Sequence, residues 1–221
     1  AALYSKLSDF VDDILAKSSP EPYDPGAEQA GERALRTALI NLLAASGHDE
    51  AGERLLGLYN AATNMTEKLA ALRGLAGLEG AARETALADF ERTWKSNPLV
   101  MDKWFGVQAG TGDAATVSKL AAHPDFDMGN PNRVRSVAAA FAMQNLSGFH
   151  APDGSGYEVI EGIILKADKV NPALGARLLT AFEQWRILEP KAKAEAEACL
   201  RRLQAADLSK NSADIVSRAL S

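Results

Sequence analysis

The sequence is short of cysteine, histidine and aromatic residues, and it has no apolar run near the roughly 20 residues that span a bilayer. Each shortage excludes something. Cys199 is the only cysteine, so no intrachain disulfide or cysteine-based zinc site can form; a reducing compartment is expected, and Cys199 within KAKAEAEACLRRL reads as a small core residue. The three histidines are His48 in SGHDE, His123 in AAHPD and His150 in GFHAPDG. None lies in HExxH or at a helical metal-pair spacing, and each sits beside a turn residue, so no metal site is expected in this chain. GxSxG, CxxC and P-loop patterns are also missing, and no catalytic residue is assigned. A net charge of -5 and a pI near 5.3 argue against a nucleic-acid or anionic-membrane binder, since both functions use basic surfaces; a local patch for a small anion is still compatible with them. The N-terminal stretch AALYSKLSDFVDDILAKSS has no basic segment followed by an apolar one, so no signal peptide is read and a cytoplasmic location is expected. The chain begins without Met, as a processed chain or excised fragment would.

What the sequence does have is helix. Ala, Leu, Glu and Lys dominate, and the alternating β-branched and aromatic runs of strands are almost absent, so the class is all-α. Four asparagines mark helix starts: Asn64 in NMTEKLAAL, Asn97 in NPLVMDKWF, Asn130 in NPNRVRS and Asn171 in NPALGARLL. Three precede Pro at the first helical position; Asn64 has Glu67 three residues on, as in a capping box. Between these starts lie second helices over 81–94, 113–122, 155–167 and 190–204. Two helices in every 33 to 41 residues is the length scale of an α-solenoid, a superhelix of stacked helix pairs of the HEAT/ARM kind. The expected organisation is a single domain over 1–221. Residues 1–22 form a leading helix plus linker, with Leu3, Leu7, Phe10, Val11 and Ile14 on one side, and residues 27–221 form the helix-pair array. Its first pair comprises a helix starting near Pro25, with Leu35, Leu39, Leu42 and Leu43 as its apolar set, and the helix in DEAGERLLGLYNAA. LSKNSADIVSRALS reads as a short closing helix.

Three stretches stand out. In APDGSGYEVI, Gly154 and Gly156 precede an apolar helix where free N–H groups could face an anion; the simpler reading is that Asp153 or Ser155 caps the helix and the glycines make the turn. Val100, Met101, Trp104 and Phe105 crowd one short helix, a core anchor. In NPNRVRS, Arg133 and Arg135 flank the buried stripe of Val134, Val137, Ala138 and Phe141 on opposite shoulders. Arg135 lies five residues past Asn130 and Arg177 six past Asn171, at nearly the same place in successive helix pairs, which stacking would put on one face. Arg177 borders a stripe of Leu174, Leu178, Ala181 and Trp185, and Arg133 reads as half of a structural pair.

The strings TNMTEKLAAL, NPLVMDKWFGVQA, FDMGNPNRVRS, FHAPDGSGY and VNPALGARLL, in this order, resemble the C-terminal helical domain of bacterial aminopeptidase N, of the M1 family of zinc metallopeptidases. The resemblance implies a larger enzyme whose catalytic domain carries HExxH, a downstream Glu ligand and a GAMEN-type motif. None of these is present here, so zinc belongs to the absent catalytic domain and this chain is expected to be inactive alone. It further implies a non-catalytic domain that closes over the active site and shapes peptide access, with the catalytic domain of the same polypeptide and short peptides as partners. By the same resemblance Arg135 and Arg177 line the substrate channel, where fixed positive charge meets carboxylates and carbonyls. The alternative is a free-standing α-solenoid adaptor that binds a protein or peptide in its concave face.

Overall fold

A computed structural model describes residues 2–17 and 22–221; part of the expected linker KSSPEPYDPG, at 18–21, lies outside them. No strand occurs among the described residues, and the all-α expectation holds. The helices are α1 (Ala2–Leu15), α2 (Ala27–Ala44), α3 (Ala51–Ala61), α4 (Met65–Ala76), α5 (Ala81–Trp94), α6 (Pro98–Ala109), α7 (Ala114–Ala121), α8 (Pro131–Val134), α9 (Ala140–Gln144), α10 (Leu146–Phe149), α11 (Ser155–Val170), α12 (Pro172–Leu179), α13 (Pro190–Ala205) and α14 (Lys210–Leu220). The four asparagine caps are real. Asn64, Asn97, Asn130 and Asn171 each accept a backbone N–H of the first turn, from Glu67, Val100, Arg133 and Leu174 respectively. This satisfies a donor that the helix itself leaves free.

The chain divides into two compact units, Ala1–Trp104 and Phe105–Ser221. In the first, α2 packs on α4 and α3 on α5, so like helices of successive pairs stack. Glu67 does more than continue the cap of α4. It is buried and pairs with Arg36 of α2, Nε to Oε2 3.1 Å, while Nη1 of Arg36 donates to the carbonyls of Ile14 and Lys17 at 2.8 Å and so closes the C-terminal end of α1.

That closure bears on the leading helix, whose buried side differs from the expected one. Tyr4, Val11 and Leu15 are buried, whereas Leu3, Leu7 and Phe10 are 60%, 37% and 48% exposed. Two tethers set this rotation: Arg36 at one end, and Arg54, whose guanidinium donates to Tyr4 Oη at 2.5 Å and pairs with Asp12. In α2, Leu39, Ile40 and Leu43 are buried but Leu35 is exposed, because Arg33 and Arg36 occupy the inward positions one would give to leucine. Arg33 lies over the Tyr23 ring at 4.6 Å.

The second unit has stacking of the same kind within it: α7 packs on α11 and α11 on α13, while α12 packs on α14. Between α8 and α9, Arg135–Ala139 winds as a π-helix, and α12 packs against that turn. The stripe of Val134, Val137, Ala138 and Phe141 is fully buried, as its spacing predicts. The stripe expected from Leu174 to Trp185 is interrupted: α12 stops at Leu179 and gives way to 3-10 turns at Thr180–Phe182 and Trp185–Ile187. Phe182 takes a core position instead of Ala181, and Trp185 is fixed by its Nε1–H donating to the Ala219 carbonyl of α14 at 3.0 Å.

The aromatic cluster of α6 is the core anchor expected. Met101, Trp104 and Phe105 are buried, and Trp104 Nε1 donates to the Leu87 carbonyl of α5 at 2.9 Å. Trp104→Ala therefore removes a large buried side chain and orphans a buried carbonyl. Chemical denaturation is expected to show a loss of about 3–5 kcal/mol, and Trp104→Phe a smaller one.

Candidate functional site

The second unit carries the site residues. Asn130 and Pro131 start α8, and the two arginines that follow part company. Arg133 is 4% exposed, lies over the Phe105 ring at 4.3 Å and donates to the Asp125 carbonyl, as a structural residue does. Arg135, on the π turn, is exposed, and its Nη2 donates to Asn132 Oδ1 at 2.5 Å.

Arg177, on α12, is also exposed, and its guanidinium makes no hydrogen bond or ion pair to a described residue. Arg135 and Arg177 thus stand on two elements packed against each other, both with solvated side chains. They differ in surroundings: Arg177 lines a cavity of about 470 Å³, and Arg135 does not.

This cavity lies where α12 breaks into 3-10 turns. Phe149, Tyr157, Phe182 and Trp185 line it with buried aromatic surface. Met143, Leu146 and Ile187 add apolar side chains that are 41%, 61% and 79% exposed. Its charged lining is Arg177 and Glu183, the latter exposed and without a side-chain partner among the described residues. The polar part is a pair, His150 Nδ1 and Tyr157 Oη, 2.7 Å apart. Burial lowers the His150 pKa and, with the nearby Cys199, Glu189 and Glu195, pushes Tyr157 up to about 12. The imidazole is therefore neutral at pH 7 and the phenol keeps its proton, so the pair is joined by a hydrogen bond without net charge.

In the DGSGY stretch the glycine turn is as read, but the N-cap is Gly154, so neither Asp153 nor Ser155 caps α11, and Asp153 instead closes a local turn onto Ser155. Gly154 adopts φ +78, open to glycine, and Asp153 Oδ1 accepts from the Ser155 N–H at 3.1 Å and its hydroxyl at 2.7 Å. A side chain on Gly156 would collide with the carbonyls of Gly148 and Phe149. The carboxylate of Asp153 therefore already holds the place an anion would take.

Sequence reasoning missed Asp168. This α11 residue is buried and accepts from the Ser209 N–H (2.6 Å), the Ser209 hydroxyl (2.8 Å) and the Ser212 hydroxyl (2.5 Å), which ties α14 down. A Cβ on Gly175 of α12 would stand 2.6 Å from Asp168 Oδ1, so only glycine admits this crossing. An acidic residue near a helix end ordinarily points to solvent, and only the SxxS spacing of Ser209 and Ser212 hints otherwise.

The histidines do not converge. His48 and His123 accept through Nδ1 from the N–H two residues on, of Glu50 and Asp125, and His150 is engaged with Tyr157. No group of three or more His, Cys, Asp or Glu side chains fit to hold a metal occurs among the described residues. Cys199 is buried, its Sγ 3.8 Å from the Tyr157 carbonyl, and burial raises its thiol pKa; it is the core residue expected. No helix is long and apolar enough to cross a membrane among the described residues.

Stacked helix pairs with an exposed arginine pair define an all-α repeat protein without metal-binding machinery of its own among the described residues. The chain belongs to the family described as a domain of unknown function (DUF3458_C) with ARM repeats, matched over residues 1–221. It is 40% identical over 227 residues to an aminopeptidase N of Caulobacter vibrioides, covering 99% of this chain and 26% of that protein. Against the aminopeptidase N of Escherichia coli it is 33% identical over 206 residues, 91% of this chain and 24% of the other. A crystal structure of Legionella pneumophila aminopeptidase A in complex with aspartic acid superposes with a TM-score of 0.87 at 28% identity, covering 99% of this chain and 27% of that one. The chain is thus a C-terminal helical domain of the aminopeptidase kind, as the sequence strings imply. It spans about a quarter of the length of the curated relatives it matches.

The His150–Tyr157 pair has a measurable signature. The folded state holds His150 below its ordinary value, so below about pH 6.5 the unfolded chain binds a proton the folded chain resists, and stability falls as pH falls. Thermal unfolding followed between pH 7 and about 5.5 should show a declining Tm, and His150→Gln should flatten that decline.

Proposed function

We propose that this chain is the non-catalytic access domain of a cytoplasmic M1 zinc aminopeptidase: it closes over the active site of the catalytic domain and shapes which short peptides reach it, with Arg135 and Arg177 lining the channel. In this reading the zinc belongs to the catalytic part of the longer polypeptide, as the relation to aminopeptidase N suggests. The observation that carries the reading is the placement of two exposed arginines on neighbouring elements of consecutive helix pairs, in a chain related to aminopeptidase N. Both elements are anchored in the core, the π turn by the fully buried Val137–Ala138 pair and α12 by Leu174 and Leu178, so the backbone positions from which the two side chains project are fixed. A guanidinium is always charged and presents several donors, which suits peptide carboxylates and carbonyls.

In the full-length polypeptide, Arg135→Ala and Arg177→Ala should leave stability within about 0.5 kcal/mol, because solvated side chains bury little. A charge-assisted contact is worth about 1.5–3 kcal/mol, and less through water, so kcat/KM for peptides should fall roughly three- to thirty-fold. Small amino-acid anilides without a free carboxylate should be affected less, and added salt should narrow the difference. Arg133→Ala is the contrast: it removes a buried ring and carbonyl contact and should lower the Tm without altering the preference for peptides over anilides. Equal losses on both substrate types for all three variants would overturn the proposal.

A further inference from the structure

The cavity beside α12 is more than an apolar pit, because its lining carries one cation and one anion that nothing else in the described structure engages. Arg177 and Glu183 lie six residues apart, on α12 and just past the first 3-10 turn, and both face the same 470 Å³ space. Neither has a side-chain hydrogen bond or ion pair to a described residue, although they share a lining. The same lining includes the buried rings of Phe149, Tyr157, Phe182 and Trp185.

We infer that this cavity is a binding site for a free amino acid with a bulky apolar side chain: the α-carboxylate pairs with Arg177, the α-ammonium with Glu183, and the side chain lies on the aromatic wall. A zwitterion meets both charges of the lining, where a simple anion or cation meets one and an apolar molecule neither. The His150–Tyr157 pair, 2.7 Å from Nδ1 to Oη, adds polarity without net charge. The volume falls in the range of small-ligand sites, about 300–1,000 Å³, and exceeds a single amino acid, so added groups on the ligand are not excluded by shape. Three exposed apolar side chains, Met143, Leu146 and Ile187, supply surface that a seated side chain would cover. The site lies wholly within residues 105–221 and shares only Arg177 with the channel lining proposed above.

The experiment is an NMR titration of this chain, following the Trp185 indole N–H, with L-phenylalanine, glycine, N-acetyl-L-phenylalanine and L-phenylalaninamide. L-phenylalanine should bind saturably with a dissociation constant on the order of 1 mM, as expected for so small a ligand, and glycine should not. The acetylated and amidated forms each lose one charge and should bind about tenfold more weakly. Arg177→Ala should erase the preference for L-phenylalanine over its amide, and Glu183→Gln the preference over its acetyl form. Arg135→Ala, outside the lining, should change nothing. Equal binding of all three phenylalanine forms would reduce the site to an apolar hole and overturn the inference, as would the absence of a saturable shift at about ten times the expected dissociation constant. Either failure leaves the peptide-access reading untouched, because that reading is tested by the kinetics of the full-length polypeptide and requires Arg135.

Discussion

The second unit is organised around one buried carboxylate. Asp168 of α11 accepts from the backbone and hydroxyl of Ser209 and from the hydroxyl of Ser212, and lies against Gly175 of α12. Three elements are thus fixed by one residue. A buried carboxylate is costly unless its lone pairs are met, and here the donors come from the cap of α14, so that helix and the carboxylate satisfy each other. The consequences reach the cavity. The Ala219 carbonyl of α14 holds the Trp185 indole, and the close crossing allowed by Gly175 seats α12, from which Arg177 projects.

Arginine plays two opposed parts in this molecule. Arg33, Arg36 and Arg133 are buried, stacked on rings or donating to carbonyl oxygens, and they join segments distant in sequence. Arg135 and Arg177 are solvated and lie on elements of one stacked row. Buried guanidiniums spend their donors on the fold; exposed ones keep donors for a ligand. That division, more than the number of arginines in an acidic chain, separates structural charge from charge that can serve recognition.

Features decided locally could be read from the sequence. The asparagine caps depend on a side chain and the next three residues, so their spacing located one row of helices, and the length of 81–94 matched α5 to the residue. The site was only partly legible. Arg135 and Arg177 could be named, but the cavity arises from the breakdown of α12 into 3-10 turns, where Phe182 rather than Ala181 turns inward. The face of α1 was misjudged for a similar reason: its rotation is set by Arg36 and Arg54, tethers from other helices, not by its own apolar spacing. Asp168 carried almost no local signal because its partners are about 40 residues away along the chain.

The most direct test of the account is a structure of the full-length polypeptide with a slowly cleaved peptide analogue bound. The guanidinium groups of Arg135 and Arg177 should face the chamber that holds the peptide, within reach of its carboxylate or carbonyl oxygens directly or through one water. A structure in which these two side chains point to bulk solvent on a face remote from the peptide would contradict it.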